Sequence, residues 1–219
     1  MALRGSSGRF KREDRPAPCR ACGSAGWWNG VRHVAQVVRD VAGEIHHVAD
    51  MVRSRVRCSN RSCTAQDSTI YEEGGYPHRL YQLPVLASAV AEVAFKPGST
   101  FSQAAAGHFC SRRTVARWHA WVGELVEPGD LARACARLDP EGMPPGMTNP
   151  GGRPPGRVGV VLALLERFVD LLRHFGVGLV GGASGLSALL CYQLQRFGDI
   201  RYLTRSSPPL RIPSVPITA

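Results

Sequence analysis

Phe101-Ser102-Gln103-Ala104-Ala105-Ala106-Gly107-His108-Phe109-Cys110-Ser111-Arg112-Arg113-Thr114-Val115-Ala116-Arg117-Trp118 holds two helix starts separated by a short turn. Thr100 and Gln103 have capping-box spacing, which satisfies two orphan amides at once, so a short helix opens there and runs to about His108. Ser111 is a second N-cap, for a helix from Arg112 to about Leu125. Val115, Trp118 and Val122 recur at i, i+3 and i+7 and share one face of it. Arg112, Arg113, Ala116 and Arg117 lie on the other face, near the helix start. Upstream, Pro84 opens a third helix with Val85, Leu86, Val90, Val93 and Ala94 on its apolar side, and Lys96-Pro97-Gly98 stops it. Three short helices with tight turns over residues 79–126 have the size of a helix-turn-helix domain. In such a domain the last helix presents Arg112, Arg113, Thr114 and Arg117 to base edges and phosphates in a DNA major groove. The bland alternative is an amphipathic helix with solvated arginines.

Toward the N-terminus stand two cysteine pairs, Cys19-Arg20-Ala21-Cys22 and Cys58-Ser59-Asn60-Arg61-Ser62-Cys63, with Gly23 following the first. Each pair puts two thiols on one turn, and together they offer the four sulfurs of a structural Zn²⁺ site at Cys19, Cys22, Cys58 and Cys63. Between them the pattern is ambiguous. Val31, Val34, Val38, Val41, Ile45, Val48 and Val52 step by three and four as on a helix. Their β-branching, Gly43 at the midpoint and Val52-Arg53-Ser54-Arg55-Val56-Arg57-Cys58 favour two strands joined by a turn near Ala42-Gly43-Glu44. Arg53, Arg55 and Arg57 would then share one strand face, as a second basic surface for DNA. His46-His47 in the same segment reads as a surface or packing pair, because adjacent strand residues face opposite sides.

The cysteines have two competing readings. A disulfide framework suits a short secreted chain, yet the first residues are charged and Gly/Ser-rich, with no apolar leader core. A redox CxxC would follow an apolar strand, whereas Pro16 and Pro18 precede this one. Cys110, Cys135 and Cys191 sit in apolar, helix-like contexts and read as ordinary buried thiols. The 219 residues carry a net charge of +10, with 25 arginines against two lysines, which points to nucleic acid before acidic substrates. No stretch reaches the roughly 18 uninterrupted apolar residues of a membrane span, the longest being Val177 to Cys191, which is broken by glycines and serines, so no membrane partner is expected.

Toward the C-terminus, residues 127–157 contain Pro140, Pro144, Pro145, Pro150, Pro154 and Pro155 and read as a Pro/Gly-rich linker. Val161, Leu164, Leu165, Phe168, Leu171, Leu172 and Phe175 then mark an amphipathic helix ending at Gly176, and a second runs from about Leu186 to Phe197. Two such helices cannot bury their faces on each other alone. The segment 158–205 must pack on the helix-turn-helix unit or on a second copy of the chain. Residues 1–15 and 206–219 read as disordered tails, the first of them basic. The expected architecture is α+β and modular: a small β zinc ribbon over 16–78, the three-helix domain, the linker and the C-terminal helices.

The cysteine knuckles and the Ser111-Arg112-Arg113-Thr114-Val115-Ala116-Arg117-Trp118 helix, over about residues 16–125, resemble the zinc-ribbon plus helix-turn-helix proteins of bacterial mobile elements, found at the N-termini of many transposases. Two positions depart from that pattern. Phe109 stands where a glycine is usual in the turn, and the second knuckle has four intervening residues. The resemblance implies binding of double-stranded element DNA by a cytoplasmic, nucleoid-associated protein, with a transposase encoded nearby as partner. A homodimer would suit a paired DNA site. The three-carboxylate, two-metal core of such transposases has no counterpart here, because Glu127, Asp130, Asp139, Glu141, Glu166, Asp170 and Asp199 lie on no run of strands. The expected protein is therefore not an enzyme but an accessory factor or regulator of a mobile element. The alternatives are a host transcriptional regulator and a truncated transposase remnant.

Overall fold

The computed structural model describes residues 15–19, 21–64, 66–69, 80–142, 156–177, 179 and 184–197. The readings of the two tails, and most of the proline-rich stretch, lie outside these residues. The chain is α+β and divides into two compact units, Met1–Ala35 with Ala49–Glu72, and Gln36–Val48 with Glu73–Ala219.

Strands β1 (Gly26–Arg39) and β2 (Ile45–Cys58) occupy the ambiguous stretch, and β3 (Asp67–Thr69) pairs antiparallel with β2 to give the order β1-β2-β3. The three-and-four stepping of the valines thus yields to β-branching and to the turn. There the Asp40 amide donates to the Glu44 carbonyl at 2.9 Å, and Gly43 takes φ 92, a conformation open to glycine. Arg55, Val56 and Arg57 face Thr69, Ser68 and Asp67 across the β2–β3 ladder.

In the first unit, the buried apolar side chains among the described residues are Cys58 and Cys63. Gly26 is buried there because its backbone runs against the Val56 side chain and the Ala17 carbonyl, where a Cβ would come within 2.9 Å of Val56.

The second unit is helical: α1 (Leu83–Phe95), α2 (Phe101–Gly107), α3 (Arg112–Glu124), α4 (Pro128–Leu138), α5 (Arg157–His174) and α6 (Gly185–Phe197). Thr100 and Gln103 form the reciprocal capping box, and Ser111 Oγ accepts from the Thr114 amide at 3.1 Å. Val85, Val90, Val115, Trp118, Val122, Leu165 and Phe168 belong to one core that runs through all six helices. The C-terminal helices therefore pack on α1 and α3. Gly185 makes that packing close, since a Cβ there would meet the Glu166 backbone at 2.7 Å. From the hairpin tip, Val37 joins this unit through its amide to the Leu80 carbonyl, at 2.6 Å.

One expectation is corrected. Residues 127–157 are not linker throughout, because α4 fills their first third. Pro128 starts the helix, Asp130 lies in its first turn, and Leu131, Ala134 and Cys135 are buried. Arg157 ties the start of α5 to the end of α3, donating to the Gly123 carbonyl at 2.7 Å and pairing with Glu127 at 2.8 Å.

Candidate metal centre and basic helix

The four sulfurs of Cys19, Cys22, Cys58 and Cys63 lie within 4.8 Å of one another. Cys19 and Cys63 approach to 3.7 Å, and Cys22 and Cys58 to 3.5 Å, so each contact joins one knuckle to the other. The first knuckle is shaped by backbone. The Gly23 amide donates to the Cys19 carbonyl at 2.7 Å, the Cys19 amide to the Ser24 carbonyl at 2.8 Å, and Gly23 takes φ 72. In the longer second knuckle Asn60 absorbs the two extra residues. Its side-chain oxygen accepts from the Ser62 amide at 3.0 Å and its carbonyl from the Cys63 amide at 3.1 Å. β2 delivers Cys58, whose amide donates to Gln66 at 2.8 Å.

The thiols are electrostatically unequal. Ser24, through its side chain and backbone, holds the Cys22 thiol down at about 6, whereas burial pushes the Cys58 thiol up to about 12. A divalent cation among the sulfurs would favour the thiolate at all four. The donor set fits one: four sulfurs converge in a unit whose buried apolar side chains, among the described residues, are two of these cysteines, and small units with so little core are commonly held by cross-links or a metal.

A second group, Asp40, Glu44 and His46, also brings three ligand atoms together, all exposed. It serves the hairpin turn. Asp40 accepts from the Glu44 amide at 2.8 Å and meets His46 Nε2 at 2.9 Å, and the histidine contact is the main cause holding the Asp40 carboxyl below its ordinary range. His47, the other half of the histidine pair, faces the ring of Phe109, with centroids 6.4 Å apart.

On α3 the two faces separate as expected: Val115, Trp118 and Val122 are buried, Arg112, Arg113 and Arg117 are exposed, and Thr114 is half-buried. Tyr81 meets Trp118 edge to face at 5.0 Å. The strand arginines behave differently. Arg53 is only 2% exposed, Arg55 is half-buried and pairs with Asp67 at 3.7 Å, and Arg57 alone is open to solvent. Alternation fixes the side of a strand on which a residue lies, not how deeply that side is covered, so the expectation of one continuous basic face is corrected.

The turn before α3 carries what the sequence did not disclose. Phe109 takes φ 50, the left-handed region where glycine is favoured, while its side chain is 55% exposed. Burial raises the Tyr81 phenol, which stays protonated and donates to the Phe109 carbonyl at 3.1 Å.

Cys135 and Cys191 are buried and Cys110 half-buried; burial raises the thiols of Cys110 and Cys135. Among the described residues no helix is long and apolar enough to cross a membrane. Comparison with protein-family models, with curated proteins and with solved structures finds no match to this chain.

Proposed function

We propose that this chain is a zinc-stabilised DNA-binding protein without catalytic activity, built from a zinc ribbon and a helix-turn-helix domain and acting as an accessory factor or regulator of a mobile element. The observation that carries the reading is α3: a capped helix whose buried side locks into a helical core while Arg112, Arg113 and Arg117 stand exposed near its start. α1 and α2 precede it with the lengths and turns that a recognition helix needs behind it. The net charge of +10 favours the same partner.

Zinc is the metal that suits the sulfurs. Four bonds of about 2.3 Å in a tetrahedron put neighbouring sulfurs about 3.8 Å apart, close to the two contacts between the knuckles, and all-thiolate donors select zinc or iron over hard cations. Five of the described carboxylates after residue 125 support a non-catalytic role, while Asp199 lies outside the described residues. Glu127, Asp130, Asp139 and Asp170 pair with Arg157, Arg133, Arg167 and Arg173, and Glu166 accepts from the Gly185 amide, so these oxygens are held by cations and an N–H rather than gathered around one site.

The test is duplex binding against salt, read by fluorescence anisotropy. Each phosphate neutralised contributes about 0.9 to the slope of log affinity on log salt. Replacing Arg112, Arg113 and Arg117 together by alanine should flatten that slope by two to three such steps and leave the thermal midpoint near the wild-type value. Equal binding by the triple variant would remove α3 as the DNA-reading helix.

A further inference from the structure

Phe109 combines three properties that stability alone does not explain: a left-handed backbone, a half-exposed aromatic ring, and a place directly before the capped start of α3. Glycine would adopt φ 50 without strain, and most other side chains would leave less apolar surface in water. The strained peptide is held by Tyr81, whose hydroxyl donates to its carbonyl. The ring itself meets His47, near the hairpin turn, in a tilted arrangement with centroids 6.4 Å apart, and Phe109 stays 55% exposed. Phe109 therefore lies two residues before Ser111, the N-cap at the end of α3 that also carries Arg112 and Arg113.

Resting on the reading of α3 as the DNA-binding helix, we propose that Phe109 is a specificity-determining contact that reads thymine through its C5-methyl group. Within an intact duplex the base faces are stacked and closed to an aromatic ring. The apolar group a duplex offers in its major groove is the thymine methyl, and phenylalanine is one of the side chains that contact it. Arginines beside it supply phosphate and guanine contacts but cannot detect a methyl group. Phe109 gives the site a preference that its arginines lack, for thymine at the step next to the arginine-contacted bases.

The experiment uses the full-length protein and duplexes selected by it from a random-sequence pool, each then synthesised with thymine and with deoxyuridine, which lacks only the methyl group. Wild-type protein should bind the thymine duplex about three- to fivefold more tightly, the effect of withdrawing one methyl group from water. Phe109→Gly, which relaxes the backbone and keeps the fold, should bind both duplexes alike at the weaker level; Phe109→Leu should keep part of the discrimination. Equal affinity of the wild type for both duplexes overturns the proposal, as does undiminished discrimination in Phe109→Gly. If Arg112→Ala weakens binding while the Phe109 variants leave thymine preference intact, this inference alone fails. If the wild type binds no duplex, the DNA-binding reading fails with it.

Discussion

Phe109 holds its peptide at φ 50, a conformation that costs a bulky side chain about 1 to 2 kcal/mol. Phe109→Gly relieves that strain but gives up the partial contact with His47 and adds freedom to the unfolded chain. These terms nearly cancel, so urea unfolding should place the variant within about 1 kcal/mol of wild type. A few residues on, Trp118→Ala opens the core where Tyr81 and α1 meet α3 and should cost about 3 to 5 kcal/mol. A loss above 2 kcal/mol in Phe109→Gly would make the ring a structural anchor for the hairpin tip instead. This residue also marks a limit of reading from sequence. The departure from glycine was visible, but nothing in the string says whether the turn changes shape or keeps its shape at a cost. In the structure Phe109 takes the left-handed conformation that a glycine adopts freely. Arg53 shows the same limit: its side of the strand was legible in the alternation, its depth was not.

At the scale of elements, caps and turns were the most readable features because their chemistry is local. Thr100, Gln103 and Ser111 each act within three residues of themselves, and all three bonds form where the spacing places them. Ser111→Ala should accordingly cost about 1 kcal/mol in thermal or urea unfolding, from the loss of one capping bond. The helix α4 was hidden by its surroundings. Prolines from residue 140 onward dominate the composition of 127–157, and averaging over that stretch masks an eleven-residue helix with Leu131, Ala134 and Cys135 at i, i+3 and i+4. A linker would tolerate Leu131→Ala without loss. Buried completely against the helical core, the same substitution should cost about 2 to 5 kcal/mol, and a neutral result would return the stretch to linker status.

On the scale of the whole molecule, the two units are held by different physics. The helical unit has a continuous apolar core through six helices; the cysteine unit has a three-stranded sheet with one short edge strand and, as its buried apolar residues among the described ones, Cys58 and Cys63 themselves. Its four-sulfur set was legible from spacing alone. The joining of knuckles across β2, with Cys19 on Cys63 and Cys22 on Cys58, required the fold. On the proposed function, structural zinc would contribute about 10 to 16 kcal/mol, more than so small a unit gains from burial. Chelation should therefore unfold the cysteine unit while far-ultraviolet circular dichroism at the helical minima stays near its starting value. Cys58→Ser should do the same without chelator, since a buried thiolate donor is replaced by a hydroxyl that binds a soft-to-borderline cation far more weakly. Elemental analysis should find one zinc per chain in protein purified without chelator and substoichiometric metal in that variant. Metal-free protein with unchanged protease resistance at residues 16–69 would show that the sulfurs pack as ordinary thiols, and the stability of this unit would then need another source.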